Sequence, residues 1–204
     1  MRKASRVRHR RGTTSDDPEQ EKVLERRCAT PDVGPFAPHG LKPESASSAP
    51  MLQRIVTGGQ AGVDRGALDA ALDAGFPCGG WCPADRVAED GRIPDRYPVT
   101  PLPGAGYRQR TLRNVQDSDA TAILYFGQIE GGTLATRDFC ISEGKPLVCI
   151  NAEASSAESA ADQVVAFIAA HRIATLNVAG PRASRVPSGH HYAYTVIRRV
   201  LTLK

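Results

Sequence analysis

The chain predicts an α/β fold, an open parallel sheet with helices on both faces, and three observations predict it. Short apolar runs alternate with Ala/Leu-rich stretches of helical spacing, the pattern of repeated β-α units. One run, Ala120-Thr121-Ala122-Ile123-Leu124-Tyr125-Phe126, is apolar almost without interruption. That is the mark of a strand covered on both faces rather than half-solvated. Three of the apolar runs also end in a glycine-containing turn at the approach to a helix.

Gln53–Thr57 is the first expected strand, and Gly62–Ala74 its helix, on the spacing of its alanines and leucines. Cys78–Trp81 reads as a short second strand. The stretch 82–106 holds five prolines (Pro83, Pro94, Pro98, Pro101, Pro103). Its length suggests a functional loop, with a short strand near Val99–Leu102. Tyr107–Gln116 is helical, and Ala120–Phe126 is the buried strand. Gly132–Glu143 is a helix that Gly144 ends. A strand at Pro146–Ile150, a helix at Ser156–His171, a strand at Thr175–Val178 and a helix at Ser188–Leu201 complete a single domain over 51–204.

Residues 1–50 read as a flexible tail. They begin with a basic run, continue with an acidic patch, and end rich in Pro, Ser and Ala, with little apolar surface to offset the entropy of ordering. Met51 stands directly before the first strand, where translation of the domain alone could begin. The tail holds ten Lys/Arg against seven Asp/Glu, so most of the net charge of +4 lies there. The remaining domain is near neutral and gives no sequence-independent pull on nucleic acid. Nucleic acid is therefore not the expected partner, and the tail is the segment that would serve one. No apolar run approaches the roughly 18 residues that cross a bilayer, and no secretory signal is legible. With five cysteines, an odd number, reduced thiols and a cytoplasmic location are expected.

Ligands of open α/β sheets bind beyond the carboxyl ends of the strands. After the first strand comes Gly58-Gly59-Gln60-Ala61-Gly62-Val63-Asp64-Arg65. This turn opens a helix whose first N–H groups and dipole favour an anion. After the long apolar strand comes Glu130-Gly131-Gly132-Thr133, with Thr136 one helical turn on. After the last strand comes Ala179-Gly180-Pro181-Arg182. Arg65 and Arg182 add cations able to bind a phosphate bidentately. Trp81 could stack on a flat ring, and Arg86 lies in the loop after it. The inventory suits a small phosphorylated molecule. No Walker or dinucleotide fingerprint is present, no catalytic constellation stands out, and the cysteines and histidines lack metal-site spacing.

The chain resembles the molybdenum cofactor carrier family over about residues 54–203. The residues that carry the likeness are Thr57–Arg65, Gly79-Gly80-Trp81-Cys82-Pro83, Ala88-Glu89-Asp90-Gly91 with Ile93-Pro94 and Tyr97-Pro98, and Arg110-Thr111 with Asn114-Val115. Asp117-Ser118-Asp119-Ala120, Gly131-Gly132-Thr133 with Thr136, and Leu176-Asn177-Val178-Ala179-Gly180-Pro181-Arg182 belong to it too. The resemblance implies a Rossmann-like fold related to the Lonely Guy and DNA-processing protein A folds. It implies a homo-oligomer, dimer or tetramer, that binds the molybdenum cofactor (molybdopterin) as cargo without transforming it. It also adds Arg110, Asn114 and Thr136 to the expected ligand-binding residues. The Lonely Guy relatives hydrolyse nucleoside 5′-monophosphates, which makes a nucleotide N-glycosidase the alternative. Their signature has a carboxylate where Glu130–Arg137 offers none, so general acid help to a leaving base lacks its usual residue.

Overall fold

In the computed structural model, which describes residues 52–203, the apolar runs pair into one parallel sheet. The tail expected over 1–50 lies outside the described residues. The elements are β1 (Arg54–Val56), α1 (Val63–Asp73), β2 (Cys78–Cys82), β3 (Val87–Ala88), β4 (Gly91–Arg92), β5 (Val99–Pro101) and α2 (Tyr107–Gln116). They continue with β6 (Ala120–Tyr125), α3 (Gly131–Ser142), β7 (Leu147–Asn151), α4 (Ala157–His171), β8 (Thr175–Ala179) and α5 (Gly189–Leu203). Six strands form the sheet in the order β5-β2-β1-β8-β6-β7, each pair parallel. This is the α/β, Rossmann-like architecture with helices on both faces.

The connections explain the layering. The crossover from β1 to β2 and that from β7 to β8 run one way along the sheet; those from β5 to β6 and from β6 to β7 run the other. Right-handed crossovers then place α1 and α4 on one face and α2 and α3 on the opposite one. The packing agrees: α5 lies against both α1 and α4, while α2 packs on α3. The main core fills the first of these layers. Ile55, Leu124, Ile150, Leu176 and Val178 from the sheet meet Ala67, Ala70 and Ala71 of α1 and Val196, Ile197 and Val200 of α5. A smaller cluster of Leu68, Cys82, Ala88, Ile93, Tyr97 and Val99 seats the loop after β2.

Two features were not legible in the sequence. β8, the last strand, inserts between β1 and β6, pairing Ile55 with Leu176 and Ala122 with Val178. Placing the β8–α5 unit ahead of β1 would start the chain at the centre, step outward to β5 on one side, and cross back once to β6 and β7 on the other. Within the proline-rich stretch, β3 and β4 form a hairpin of two-residue strands, too short to leave any period in the sequence. Its turn residue Glu89 reaches the loop after β8, accepting from Ser184 N–H.

Candidate ligand-binding site

The carboxyl ends of β1, β8 and β6 meet where successive connections change direction, and a cavity of about 520 Å3 opens there. Such a switch point is where open α/β sheets bind ligands, and the volume suits a mononucleotide-sized one. Gly58, Gln60 and Asp64 line it from the first glycine turn; Tyr107, Arg108, Arg110, Thr111 and Asn114 line it from α2. Glu130, Gly131, Gly132, Thr133, Ala135 and Thr136 enter from the start of α3, and Asn177 to Arg182, Ser184 and Arg185 from β8 and its loop.

The first glycine turn already holds a carboxyl group, and it is the protein's own. The Gln60 N–H donates to Asp64 Oδ2 at 3.2 Å, and the Asp64 side chain is buried. Arg110 Nη1 stands 3.7 Å from the same oxygen, an ion pair slightly too long for a hydrogen bond. A glycine at 58 admits that guanidinium, because a Cβ there would lie 1.3 Å from Arg110 Nη1. Burial pushes the Asp64 carboxyl above its ordinary range, against the pull of Arg110, the turn N–H groups and Arg182. Burial also draws the Arg110 guanidinium down, against the attraction of Asp64. Each shift has the same cause: removing a charge from water costs more than its partner returns. Among the described residues, Gln60 Oε1 and Arg110 Nε are the buried side-chain polar atoms with no partner. Both residues line this cavity.

The second glycine turn is open. α3 starts after Glu130 with no side-chain cap, so its first N–H groups and dipole face the cavity uncapped. Thr136 Oγ1 donates back to the Gly132 carbonyl at 3.0 Å and stays within the helix. On the far side, the Arg182 guanidinium lies 4.6 Å over the Tyr107 ring. Its loop is fastened to the first turn by a Gly62–Arg182 bridge and by Ala183 N–H to the Ala61 carbonyl at 3.0 Å. Glu89 holds the same loop, accepting from Ser184 N–H at 2.9 Å. Four arginines (108, 110, 182 and 185) face two carboxylates, Asp64 and Glu130, so the lining is electropositive.

Eleven of the residues expected to bind ligand line this cavity: Gly58, Gln60, Asp64, Arg110, Asn114, Gly131, Gly132, Thr133, Thr136, Gly180 and Arg182. Six do not. Gly59, Gly62 and Val63 form the turn and the helix start behind it. Trp81 donates from Nε1 to Asp117 at 2.8 Å, and Asn114 clamps its backbone at 2.7 and 3.0 Å. Arg86 spends its guanidinium on the carbonyls of Ile93, Pro94, Tyr97 and Val99, organising the proline-rich loop. Arg65 donates to the Gly59 carbonyl at 3.2 Å and pairs bidentately with Asp90, at 2.5 and 2.9 Å. That pairing holds the Asp90 carboxyl below its usual range, with burial opposing. Arg65→Ala is therefore expected to cost about 1–2 kcal/mol of stability, since Asp90 is half exposed. Ligand affinity should stay within about threefold in a titration of the purified variant; a loss near tenfold would place Arg65 in the site after all.

Tyr107, Arg108, Ser184 and Arg185 also line the cavity and were not singled out from the sequence, while Thr111, Glu130 and Asn177 stood within the quoted motifs without being expected to bind ligand. One signal was available for α2. Tyr107, Arg110, Thr111 and Asn114 recur at i, i+3, i+4 and i+7, one face of one helix. Arg185 had no signal beyond lying near a glycine turn.

Comparison with known proteins places the chain among relatives. The model of the Circularly permutated YpsA SLOG family matches residues 55–201. A crystal structure from Syntrophus aciditrophicus SB, named "Putative molybdenum carrier protein", matches with a TM-score of 0.72 and 38% identity. The match covers 74% of this chain and 96% of that one. No curated protein matches.

Proposed function

The chain belongs to the Circularly permutated YpsA SLOG family, and from that premise we propose that its cavity binds the molybdenum cofactor or a similar phosphorylated heterocycle as cargo. The observation that carries the reading is the electropositive cavity at the switch point, with the uncapped start of α3 beside it. A phosphate sits over the N–H groups of Gly131 to Thr133, where dipole and geometry favour it. Arg182, stacked on Tyr107, closes on the ligand from the β8 side. Arg110 sets the floor, its charge partly offset by Asp64. A binding protein needs this and no more. The Syntrophus neighbour is named a "Putative molybdenum carrier protein", which supports a molybdenum-related cargo. A homo-oligomer, dimer or tetramer, belongs to the same reading and is checked by the mass of the protein in solution.

The test is retention of the cofactor by the full chain, purified without oxygen, with AMP as competitor. Retained pterin that AMP fails to displace is the expected result. Binding of AMP alone would move the protein to nucleotide handling. One observation favours that alternative: Asp64 is a buried carboxylate in the cavity, and burial raises its affinity for a proton, as a general acid requires. Release of free adenine from AMP is the result that would establish it. Among the described residues no helix is long and apolar enough to cross a membrane, and no cluster of His, Cys, Asp and Glu could hold a metal ion. Arg182→Ala is expected to weaken cofactor binding by about tenfold or more, the loss of one charged hydrogen bond to the ligand. Unchanged retention in that variant would remove Arg182 from the site.

A further inference from the structure

The cavity has a neighbour. A second one, of about 440 Å3, adjoins it at the start of α3, where Glu130 and Thr133 line both. The two share Glu130, Thr133, Pro181 and Arg185, so they are adjoining lobes of one cleft. The second lobe is walled by Tyr125 and Phe126, with Glu153 at its edge. Phe126 is held edge-on to Tyr192, with ring centroids 5.5 Å apart, so this wall is pre-set rather than loose.

The order of chemistry across the cleft repeats about its middle. The first lobe presents an aromatic ring, Tyr107 under Arg182. The middle presents anion-binding groups, the uncapped N–H donors of α3 and the Arg185 guanidinium. The second lobe presents aromatic rings again. Each lobe is large enough for one ring system with its sugar or side chain. A mononucleotide-sized ligand fills the first lobe and leaves the second without an occupant.

We infer that the cleft takes a bipartite ligand, two ring systems joined through a pyrophosphate, with the second ring in the lobe walled by Tyr125 and Phe126. It rests on the reading above that the first lobe takes a phosphorylated heterocycle. The Glu130–Arg185 ion pair stands at the junction, with both side chains about half exposed. Such a pair contributes little net stability, so a ligand phosphate can displace Glu130 and take over Arg185 at small cost. Arg185 also lies close to Gly131, beside the helix terminus that binds the other phosphate. The pyrophosphate thereby meets donors from both sides, and the second ring binds at the effective concentration set by the first.

The test compares ADP with diadenosine diphosphate by calorimetric titration of the full chain. The two probes share the adenosine and the pyrophosphate, and differ by the second nucleoside. Binding of the dinucleotide roughly tenfold tighter or more is expected. In Gln128→Trp, which places a bulky ring in the second lobe, that advantage should vanish while ADP affinity holds. Equal affinities in the unmodified chain, or binding of neither probe, overturn the bipartite assignment. An advantage that survives Gln128→Trp overturns the placement of the second ring. Cofactor retention is measured separately from both titrations, so failure here is told apart from failure of the proposed cargo.

Discussion

Gly58→Ala is expected to cost about 3–5 kcal/mol of stability and to abolish ligand retention, although it adds one methyl group and touches no ligand atom directly. The added Cβ would stand 1.3 Å from Arg110 Nη1 and 2.3 Å from its Cζ. A guanidinium can move; here it has to leave the floor of the cavity. Asp64 then stays behind, buried, with the turn N–H groups and the weaker pull of Arg182 to stabilise it. Breaking a buried ion pair by removing one partner is the costly case, because the remaining charge has neither water nor counter-ion. The backbone itself is not strained, since residue 58 is absent from those with positive φ. The Cβ would also stand 2.9 Å from Asp64 Oδ2, but the far closer approach to Arg110 means the effect should run chiefly through that guanidinium. In an Arg110→Ala background, Gly58→Ala should cost about 1 kcal/mol or less, an interaction that a double-mutant cycle resolves. Full cost in both backgrounds would show that the turn, not the guanidinium, requires the glycine.

Gly62→Ala is expected to destabilise by about 2–5 kcal/mol, combining backbone strain with overpacking against atoms that cannot rotate away. Gly62 has φ of 105°, a region that side chains rarely adopt. Its Cβ would meet the Pro181 carbonyl oxygen at 2.6 Å and the Ala183 nitrogen at 2.7 Å. Those are the atoms through which the β8 loop is fastened to the first turn, with Val63 N–H donating to the Pro181 carbonyl at 3.3 Å. Forcing them apart shifts Arg182 and opens the cavity at its β8 side. Gly75→Ala is the control. Its φ is also positive, at 59°, but nothing lies within 4 Å of a Cβ there. It should cost only the strain, about 1–2 kcal/mol, with ligand affinity unchanged. Chemical denaturation of the two variants separates strain from clash, and equal losses would show that the seam is looser than its distances imply.

The sequence by itself determined the alternation of strands and helices, and with it the class of fold. Ala120–Tyr125 could only be a strand covered on both faces, and the glycine turns after β1 and β6 marked the end of the sheet where a ligand would gather. These are local facts, written in residues adjacent in the chain. The tertiary structure alone decided which residues face the cavity. Asp64 and Arg65 are neighbours in sequence, yet the helix turns about 100° between them. One points into the cavity to meet Arg110; the other turns away to Asp90 on a hairpin too short to be legible. Which of the two faces inward depends on the rotation of α1, and packing of Ala67, Ala70 and Ala71 against the sheet and α5 sets it. The insertion of β8 between β1 and β6 was equally invisible, because strand order is fixed by pairing over distances along the chain that no local pattern encodes. That insertion brings Arg182 beside Arg110 and places the uncapped start of α3 across from both, so the site exists only once the sheet is assembled.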